Sequence, residues 1–493
     1  MKRYKKLIIL LGVLALACVA VFIVSRINVY KENISSTVET IVTIDTDEVT
    51  ALSWSYGESS FSFHKDTENS TEEESIWLYD DDEAFPVNET KISDLLYSFK
   101  EFNTEFTIED VEDISMYGLD EPMCVITITA GETVYELEFG DYSTMDQERY
   151  VSIGDGKVYL ASKDPTDSYD LELADMIEDD DIPKFSEVSD VTFAGMENYE
   201  IFSDDTGTLS WCSDDIYFTD DNAPFDTSKV TKLLSNYYNM DQDTYVTYNA
   251  TEEELAQYGL DDPELTMTVN YVSETIESEE EDGEDEKIYS TFVVSLSRSA
   301  EDKQAIAEAE ESEEETEADI SGEGYVRVGQ SQIIYKISAA DFTTLTSVSY
   351  DSLRHEKLFT ADFGQAIQVD AEIGGVQYSF VYKENEEDED ADGAFCYGET
   401  EISLSDFETA LTAIKYSEYS DTAAEGEAEI SLKLYLDNED FPEIDIVLYR
   451  YDGTSCRAEV NGQMTGLVSR SSVVDLVETV NAIVLAGAGE INS

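Results

Sequence analysis

The sequence predicts an α+β protein of tandem modules, each an antiparallel sheet with packed helices, preceded by one N-terminal transmembrane helix. Three observations support this prediction. A short motif, Tyr-Gly-Leu-Asp-x-Pro, occurs at 117–122 and again at 258–263. Apolar and polar residues alternate around each copy with the period of half-buried strands. An uncharged apolar run long enough to cross a membrane begins at Leu7.

The N-terminus has the pattern of a membrane anchor. A basic segment at 1–6 is followed by the apolar run, which predicts a transmembrane helix at 7–25 and then a polar tether at 26–46. The four cations of the basic segment are Lys2, Arg3, Lys5 and Lys6. A positive flank stays cytoplasmic, so the N-terminus is expected there and the bulk of the chain outside the cell membrane. A cleaved signal, or lipidation at Cys18, is the alternative.

The repeated motif is expected to end a helix and lead into a strand. Glycine supplies the left-handed backbone that ends a helix, and the proline that follows prevents its continuation. The motif residues are Tyr117, Gly118, Leu119, Asp120 and Pro122 in the first copy, and Tyr258, Gly259, Leu260, Asp261 and Pro263 in the second. We interpret these residues as structural, and a partner-binding edge is the alternative. The recurrence indicates a repeated module.

Three α+β modules are predicted after the tether, at 47–184, 185–355 and 356–493. In the first, strands precede a helix capped by Asn88, and hairpin strands follow the motif. The second repeats this order with Asp226 as the helix cap, and acidic insertions interrupt it. The third lacks the motif and matches by element order, so we treat it as divergent.

An aromatic strand before each helix aligns the modules. In this alignment Trp211 matches Trp77, and both Cys212 and Cys396 fall where the first module has Leu78. Exchange with leucine indicates a buried apolar position, since free cysteine packs as a small hydrophobe. The alternative is a disulfide among the cysteines outside the anchor, which are Cys124, Cys212, Cys396 and Cys456.

Composition limits the classes of partner. The chain has 28 Lys and Arg against 112 Asp and Glu, a formal net charge of -84. Such a chain is repelled by nucleic acid and by anionic headgroups, so we expect no nucleic-acid partner. Its 42% hydrophobic and 11% aromatic content is ample for folded cores rather than disorder.

The paired motifs resemble the domain-of-unknown-function 4340 family over residues 47–340. The first copy matches it at Trp77, Phe85-Pro86-Val87, 89–102, 117–122, Phe139-Gly140-Asp141, Arg149-Tyr150-Val151 and Val158-Tyr159. The second matches it at Trp211, Pro224-Phe225-Asp226, 258–263 and Tyr325-Val326. The resemblance implies an anchored extracytoplasmic protein, of a family often encoded beside an ABC-2-type transporter and a gliding-motility-type auxiliary membrane protein. It implies no catalytic residues.

One segment matches a calcium-binding loop. Asp388, Asp390, Asp392 and Glu399 stand at positions 1, 3, 5 and 12 of the EF-hand pattern, with Gly393 at position 6. The flanking segments predict strands instead of the helices of an EF-hand. We therefore favour a solvated hairpin loop, with Ca²⁺ as the alternative and no other cofactor expected.

We expect a non-enzymatic accessory or interaction protein, anchored in the membrane and associated with an ABC transporter permease or an auxiliary membrane protein. The alternative is an extracytoplasmic module that binds calcium or a cell-envelope ligand, and a hydrolase comes third. His64 and His355 lie near no recognisable nucleophile motif, so we interpret both as surface or structural residues.

Overall fold

The protein is α+β, with three antiparallel sheets and helices packed on them. The computed structural model describes residues 39–71, 75–109, 111–276, 285–311, 322–384 and 393–490. The basic segment at 1–6, the predicted transmembrane helix at 7–25 and the first part of the tether lie outside these ranges. Among the described residues, no helix combines the length and the apolar character that crossing a membrane requires.

The chain divides into two compact units. The first ends at Asp179 and contains the first sheet, and the second begins at Asp180 and contains the other two. The described α-helices are α1 Glu89–Tyr97, α2 Thr227–Tyr238, α3 Glu252–Gln257, α4 Ala300–Glu311, α5 Ala339–Leu345, α6 Tyr350–Leu353, α7 Ser405–Thr412 and α8 Arg470–Glu490. Short 3₁₀ helices occur at Thr46–Glu48, Ile114–Tyr117, Thr166–Tyr169, Leu173–Met176 and Phe363–Gln365.

The first sheet begins earlier than the sequence predicted. Its strands are β1 Glu39–Val42, β2 Val49–Tyr56, β3 Ser59–Lys65, β4 Trp77–Tyr79, β5 Phe102–Ile108, β6 Cys124–Ala130, β7 Thr133–Ser143, β8 Glu148–Ser152 and β9 Val158–Ala161. The prediction of a tether over 26–46 is wrong from Glu39 onward, because β1 pairs with β5 at the sheet edge. Val42 and Ile44 are buried, and this burial holds the segment against the core.

The second and third sheets share the second unit. The second contains β10 Val188–Gly195, β11 Tyr199–Ser203, β12 Tyr217–Phe218, β13 Tyr245–Thr247, β14 Leu265–Ile276, β15 Glu286–Ser297, β16 Gly324–Val328 and β17 Ile334–Ile337. The third contains β18 Ala366–Ile373, β19 Val376–Lys383, β20 Ala394–Tyr397, β21 Thr400–Ile402, β22 Tyr416–Tyr419, β23 Ala428–Leu436, β24 Glu443–Arg450, β25 Ser455–Val460 and β26 Gln463–Ser469.

All three sheets have the same strand order. The first runs β4-β3-β2-β6-β7-β8-β9-β5, the second β12-β11-β10-β14-β15-β16-β17-β13, and the third β20-β19-β18-β23-β24-β25-β26-β22. Strand β1 extends the first sheet beyond β5, and β21 extends the third beyond β20. In each module a hairpin and a short edge strand precede a helix, the next strand lies at the opposite edge, and the chain then returns to the centre. The divergent third module is therefore a repeat of the same architecture.

The helices that link opposite edges begin where the sequence predicts. The Asn88 side chain accepts a hydrogen bond from the Lys91 N–H at 2.9 Å and caps α1. Asp226 caps α2 by accepting from the Ser228 N–H at 3.0 Å. Both helices bury the apolar side chains that recur at helical spacing. These are Ile92, Leu95 and Leu96 in α1, and Val230, Leu233, Leu234 and Tyr237 in α2.

The predicted strand at Leu209 to Cys212 is wrong. The edge strand of the second module is Tyr217–Phe218, and Cys212 lies in a loop between β11 and β12. The spacing from the tryptophan to the proline before the helix is nine residues in the first module, from Trp77 to Pro86, and thirteen in the second, from Trp211 to Pro224. Trp211 therefore lies in the loop at 204–216, which is two residues longer (13 against 11) than the loop at 66–76 of the first module and is called the inserted loop below. Cys396 does lie in a strand, β20.

Both copies of the repeated motif end a helix in left-handed backbone. Gly118 has φ 68° after the 3₁₀ helix Ile114–Tyr117, and Gly259 has φ 72° after α3. Leu119 and Leu260 are buried in the cores. Each motif tyrosine packs on a tyrosine of the same module: the ring centroids lie 5.0 Å apart for Tyr117–Tyr150 and 4.6 Å apart for Tyr258–Tyr325.

The motif also touches the end of a neighbouring strand. A Cβ on Gly118 would lie 2.7 Å from Cγ of Asp141, and one on Gly140 would overlap the carbonyl oxygen of Tyr117. The pair Tyr117-Gly118 therefore packs directly against the pair Gly140-Asp141. In the second module Gly259 meets Ser297 and Arg298 in the same way, so no Gly-Asp pair is needed there.

Substitution of Gly118 tests this contact. We expect Gly118→Ala to lower the free energy of unfolding of the first unit by about 3 kcal/mol, because left-handed strain and steric overlap add. The control is Gly57→Ala, at φ 59° with no atom of the described residues within 4 Å of the added Cβ. It should cost only about 1 kcal/mol. Urea denaturation measures both, and equal losses would mean that the contact with Asp141 contributes nothing.

Candidate functional site

The predicted calcium loop is only partly described. Asp388, Asp390 and Asp392 lie outside the described residues, and Glu399 lies in the turn between β20 and β21. The neighbouring elements are the strands β19 and β20, as the sequence indicates. Calcium binding at this segment stays a prediction.

Within the part of the chain that the structure describes, the four cysteines outside the predicted anchor form no disulfide, and the two histidines have different surroundings. Cys124, Cys212, Cys396 and Cys456 are all free thiols, so the described residues form no disulfide among them. His64 lies on β3 and hydrogen-bonds Asp80 through Nδ1 at a half-exposed position. His355 differs, because it belongs to a polar cluster.

The cluster joins a loop of the second module to the segment that leads into the third. His355 Nε2 lies 2.8 Å from Oδ1 of Asp215, and its Nδ1 lies 3.7 Å from Oδ2 of Asp226. The ligand atoms of Cys212, Asp215 and His355 all lie within 4.8 Å of one another. Asp215 is only 2% exposed, whereas Cys212 and His355 are half-buried.

The inserted loop is fixed by hydrogen bonds within it. The Ser210 hydroxyl donates to Oδ2 of Asp215 at 2.7 Å and accepts from the Cys212 N–H at 3.1 Å. The Asp215 N–H donates to the Cys212 carbonyl at 3.1 Å. These three hydrogen bonds hold Cys212 and Asp215 close to each other.

Trp211 anchors the loop to the elements of the third module. Its Nε1 donates to the Thr360 hydroxyl at 2.8 Å, and its ring meets Phe441 edge-on with centroids 6.2 Å apart. Tryptophan contributes a large apolar area and one N–H donor, and both are used here. This explains why Trp211 is not a strand residue like Trp77.

Arg354 makes a second contact between the two modules. Its guanidinium lies 3.9 Å from the ring centroid of Tyr419, with Tyr350 and Tyr416 at 5.1 and 5.8 Å. The Tyr419 hydroxyl donates to the His355 carbonyl at 2.9 Å, which fixes the backbone of the cluster histidine. Cations held over aromatic faces stabilise a junction most when they are partly desolvated.

Two clefts, each of about 420 Å³, border the cluster, and His355 lines both. One is lined by Cys212 and by three lysines, Lys229, Lys357 and Lys415. In a chain with 28 cations and 112 acids, this concentration of positive charge is unusual. Glu356 pairs with Lys415 at 3.2 Å and with Lys229 at 3.4 Å, and these lysines lower the pKa of its carboxyl.

Electrostatics around the cluster favour a neutral thiol. Burial and the nearby carboxylate of Asp215 raise the pKa of Cys212 to about 11. Burial also raises the pKa of Asp226, but hydrogen bonds from Ser228 and the field of His355 outweigh it, so the net pKa is lowered. The raised pKa favours the thiol over the thiolate at neutral pH, whereas a cysteine nucleophile needs the thiolate.

The sequence alone does not predict this cluster, because it indicates a surface or structural role for His355 and gives no reason to single out Asp215. The available signal is the longer spacing between Trp211 and Pro224, which indicates that the loop with Cys212 and Asp215 departs from the first module. That signal does not indicate a partner 140 residues away in sequence, as His355 is from Asp215.

A separate exposed surface lies around the first motif. Ile114 and Met116 lie in the 3₁₀ turn that contacts β7 at Gly140, and Tyr142 and Met145 follow shortly after that contact. Met116 is 74% exposed and Met145 is 87% exposed. We call these four side chains, Ile114, Met116, Tyr142 and Met145, the motif patch. Their exposure, and their nearness along the chain to the contact of Tyr117 with Gly140, make them a candidate interaction surface.

Substitution of Arg354 tests the contact between the modules. We expect Arg354→Met to lower the free energy of unfolding of the second unit by about 2 kcal/mol, through loss of the cation from three tyrosine rings. The control, Arg457→Met, removes an arginine 4.4 Å from the Tyr451 ring, where that ring is exposed. It should cost only about 0.5 kcal/mol. A loss from Arg354→Met no larger than the control's, in urea denaturation, would contradict the role assigned to Arg354.

Comparison with protein families identifies one match. The family model described as "Domain of unknown function (DUF4340)" matches residues 77–208 and 218–433, more than two thirds of the chain. The match continues past residue 340, where the resemblance in the sequence ended, and reaches β23 of the third sheet. Comparisons with curated proteins and with solved structures gave no match.

Proposed function

The chain belongs to the DUF4340 family, and on this premise we propose that it is a membrane-anchored, extracytoplasmic, non-enzymatic accessory protein of an ABC-type transport complex. The apolar run after the basic segment supports an anchor, and the positive flank supports an N-terminus in the cytoplasm. The link to a transporter comes from the family resemblance and is an argument by association.

The motif patch is the observation that carries the interaction role. Its four side chains are large, apolar and exposed, although the chain around them is strongly acidic. Methionine adapts its shape to a partner, and tyrosine adds area with little loss of side-chain entropy. We propose that the occupant is an apolar extracytoplasmic segment of the permease or of the auxiliary membrane protein.

The state of the Cys212 thiol supports a non-enzymatic role. Cysteine hydrolases use a thiolate activated by a histidine. Burial and Asp215 instead raise the pKa of Cys212 to about 11, so the thiol form dominates at neutral pH. In addition, His355 Nε2 contacts Asp215 at 2.8 Å rather than the Cys212 thiol, so the imidazole is not placed as the base that activates a cysteine nucleophile.

Co-purification tests the proposal. In gentle detergent the full chain should retain the permease, and Met116→Asp combined with Met145→Asp should lower the retained amount about tenfold, since charges replace central apolar contacts. The matched control is Met196→Asp, because Met196 is 52% exposed in the second unit. Loss of the permease with the control as well, or its retention by the double variant, would count against the patch.

A calcium- or envelope-ligand-binding module is the second candidate. It is supported by the Asp388 loop pattern and by a cleft of about 620 Å³ on the third sheet. Solvent-facing polar side chains from neighbouring strands line this cleft, and Asp370, Gln377 and Lys433 are among them. A groove with a few convergent polar groups is the usual form of a small-ligand site.

Calorimetry separates the calcium proposal from general acidity. If the Asp388 loop binds Ca²⁺, titration should give a heat that disappears when Asp388→Ala is combined with Glu399→Gln, since both supply oxygen ligands. A control with Glu425→Gln removes one exposed acid outside the loop and should leave the heat intact. A heat that does not depend on Asp388 and Glu399 would remove this candidate.

A further inference from the structure

We propose that Cys212, Asp215 and His355 form a binding site for one divalent metal ion of the zinc class. The site goes beyond the accessory role and is independent of the motif patch. It uses a thiol, a carboxylate and an imidazole, whose ligand atoms lie within 4.8 Å of one another. Two ligands come from the inserted loop of the second module, and the third comes from the segment that enters the third.

The donor set selects the class of ion. Thiolate and imidazole ligands favour zinc and similar borderline ions, whereas Ca²⁺ and Mg²⁺ prefer oxygen ligands alone. One thiolate and one carboxylate would together neutralise a doubly charged ion. The Cys212 thiol gives up its proton to solvent as the metal–sulfur bond forms, so each bound ion releases one proton.

The distances are compatible with tetrahedral coordination. With metal–ligand bonds of about 2.0–2.3 Å, neighbouring ligand atoms stand about 3.5 Å apart. The distance of 2.8 Å between His355 Nε2 and Asp215 Oδ1 must increase slightly. The Cys212 Sγ lies within 4.8 Å of a ligand atom of each of these two residues and must reach the same separation from them. An ion that enters between Nε2 and Oδ1 replaces their hydrogen bond with two metal bonds, which side-chain rotations of this size allow.

Outer groups already orient each ligand. Asp226 Oδ2 lies 3.7 Å from Nδ1 of His355, and a small side-chain rotation would bring it into the hydrogen bond by which a carboxylate orients a metal-bound histidine. Ser210 holds the second oxygen of Asp215 and the backbone of Cys212, as described above. A cluster that served only to bury one carboxylate would need no half-buried thiol beside it.

The site also has an entry path and an open position. Cys212 and His355 line the cleft of about 420 Å³ that opens to solvent, where Asp226 and Glu356 offset part of the positive charge of the three lysines. Three protein ligands leave a fourth position for water, as in zinc sites that are accessible to solvent. Because the ligands come from both sides of the junction, a bound ion would cross-link the second and third modules.

Binding of Zn²⁺ and Co²⁺ to the full chain tests this site. After chelator treatment, and with excess Mg²⁺ to occupy surface carboxylates, we expect one Zn²⁺ per chain and a Co²⁺ complex with thiolate charge-transfer absorption. Cys212→Ser and His355→Ala should each weaken Zn²⁺ binding about 100-fold or more, and Asp226→Asn about tenfold. The matched controls Cys396→Ser and His64→Ala should change neither signal.

A second measurement avoids dependence on how the variants fold. In the unmodified chain Zn²⁺ should slow alkylation of Cys212 at least tenfold, while the half-buried Cys396 serves as the internal control in the same mass spectra. Zn²⁺ affinities unaffected by Cys212→Ser and His355→Ala, a Co²⁺ complex without thiolate absorption, or equal alkylation of Cys212 with and without Zn²⁺ would each overturn the proposal.

Discussion

Each sheet depends on the antiparallel pairing of its two central strands: β2 with β6, β10 with β14, and β18 with β23. The paired residues Leu52 and Ile128, like Val191 and Val269 in the second sheet, are buried on the covered face. Between its two central strands the chain forms an edge strand, a helix and a strand near the opposite edge. The helix must therefore span the width of the sheet. The glycine motif closes this connection in two modules, and the third closes it with a shorter path.

The junction of the second and third modules relies on polar and cationic contacts. A chain with a net charge of -84 repels itself wherever acidic surfaces meet. The junction places Lys229, Arg354, Lys357 and Lys415 at that boundary, which offsets the repulsion locally. The inserted loop of the second module extends this contact through Trp211. The same loop carries the two residues that meet His355, so the polar cluster is a product of the docking of the modules.

Sequence patterns predicted the features that depend on neighbouring residues, which are the long strands and the helix starts. Alternation of apolar residues recovered the long strands, and the side chains of Asn88 and Asp226 marked the helix starts, because capping depends on neighbours three residues away or fewer. The prediction of a tether is wrong from Glu39 onward, because a half-polar edge strand of four residues is too short to show alternation of apolar and polar residues. Trp211 was misassigned because its partners, Thr360 and Phe441, are distant in sequence. The cluster of Asp215 with His355 was not predicted, because these residues are also distant in sequence.

Because this junction joins them, the second and third sheets should unfold as one cooperative unit. Native-state hydrogen exchange across a denaturant series tests it most directly. We predict that the buried amides of β14 and β23, such as Val269 and Leu434, open with the same free energy and the same denaturant dependence. Loss of protection in β23 at a denaturant concentration where β14 stays protected would contradict it.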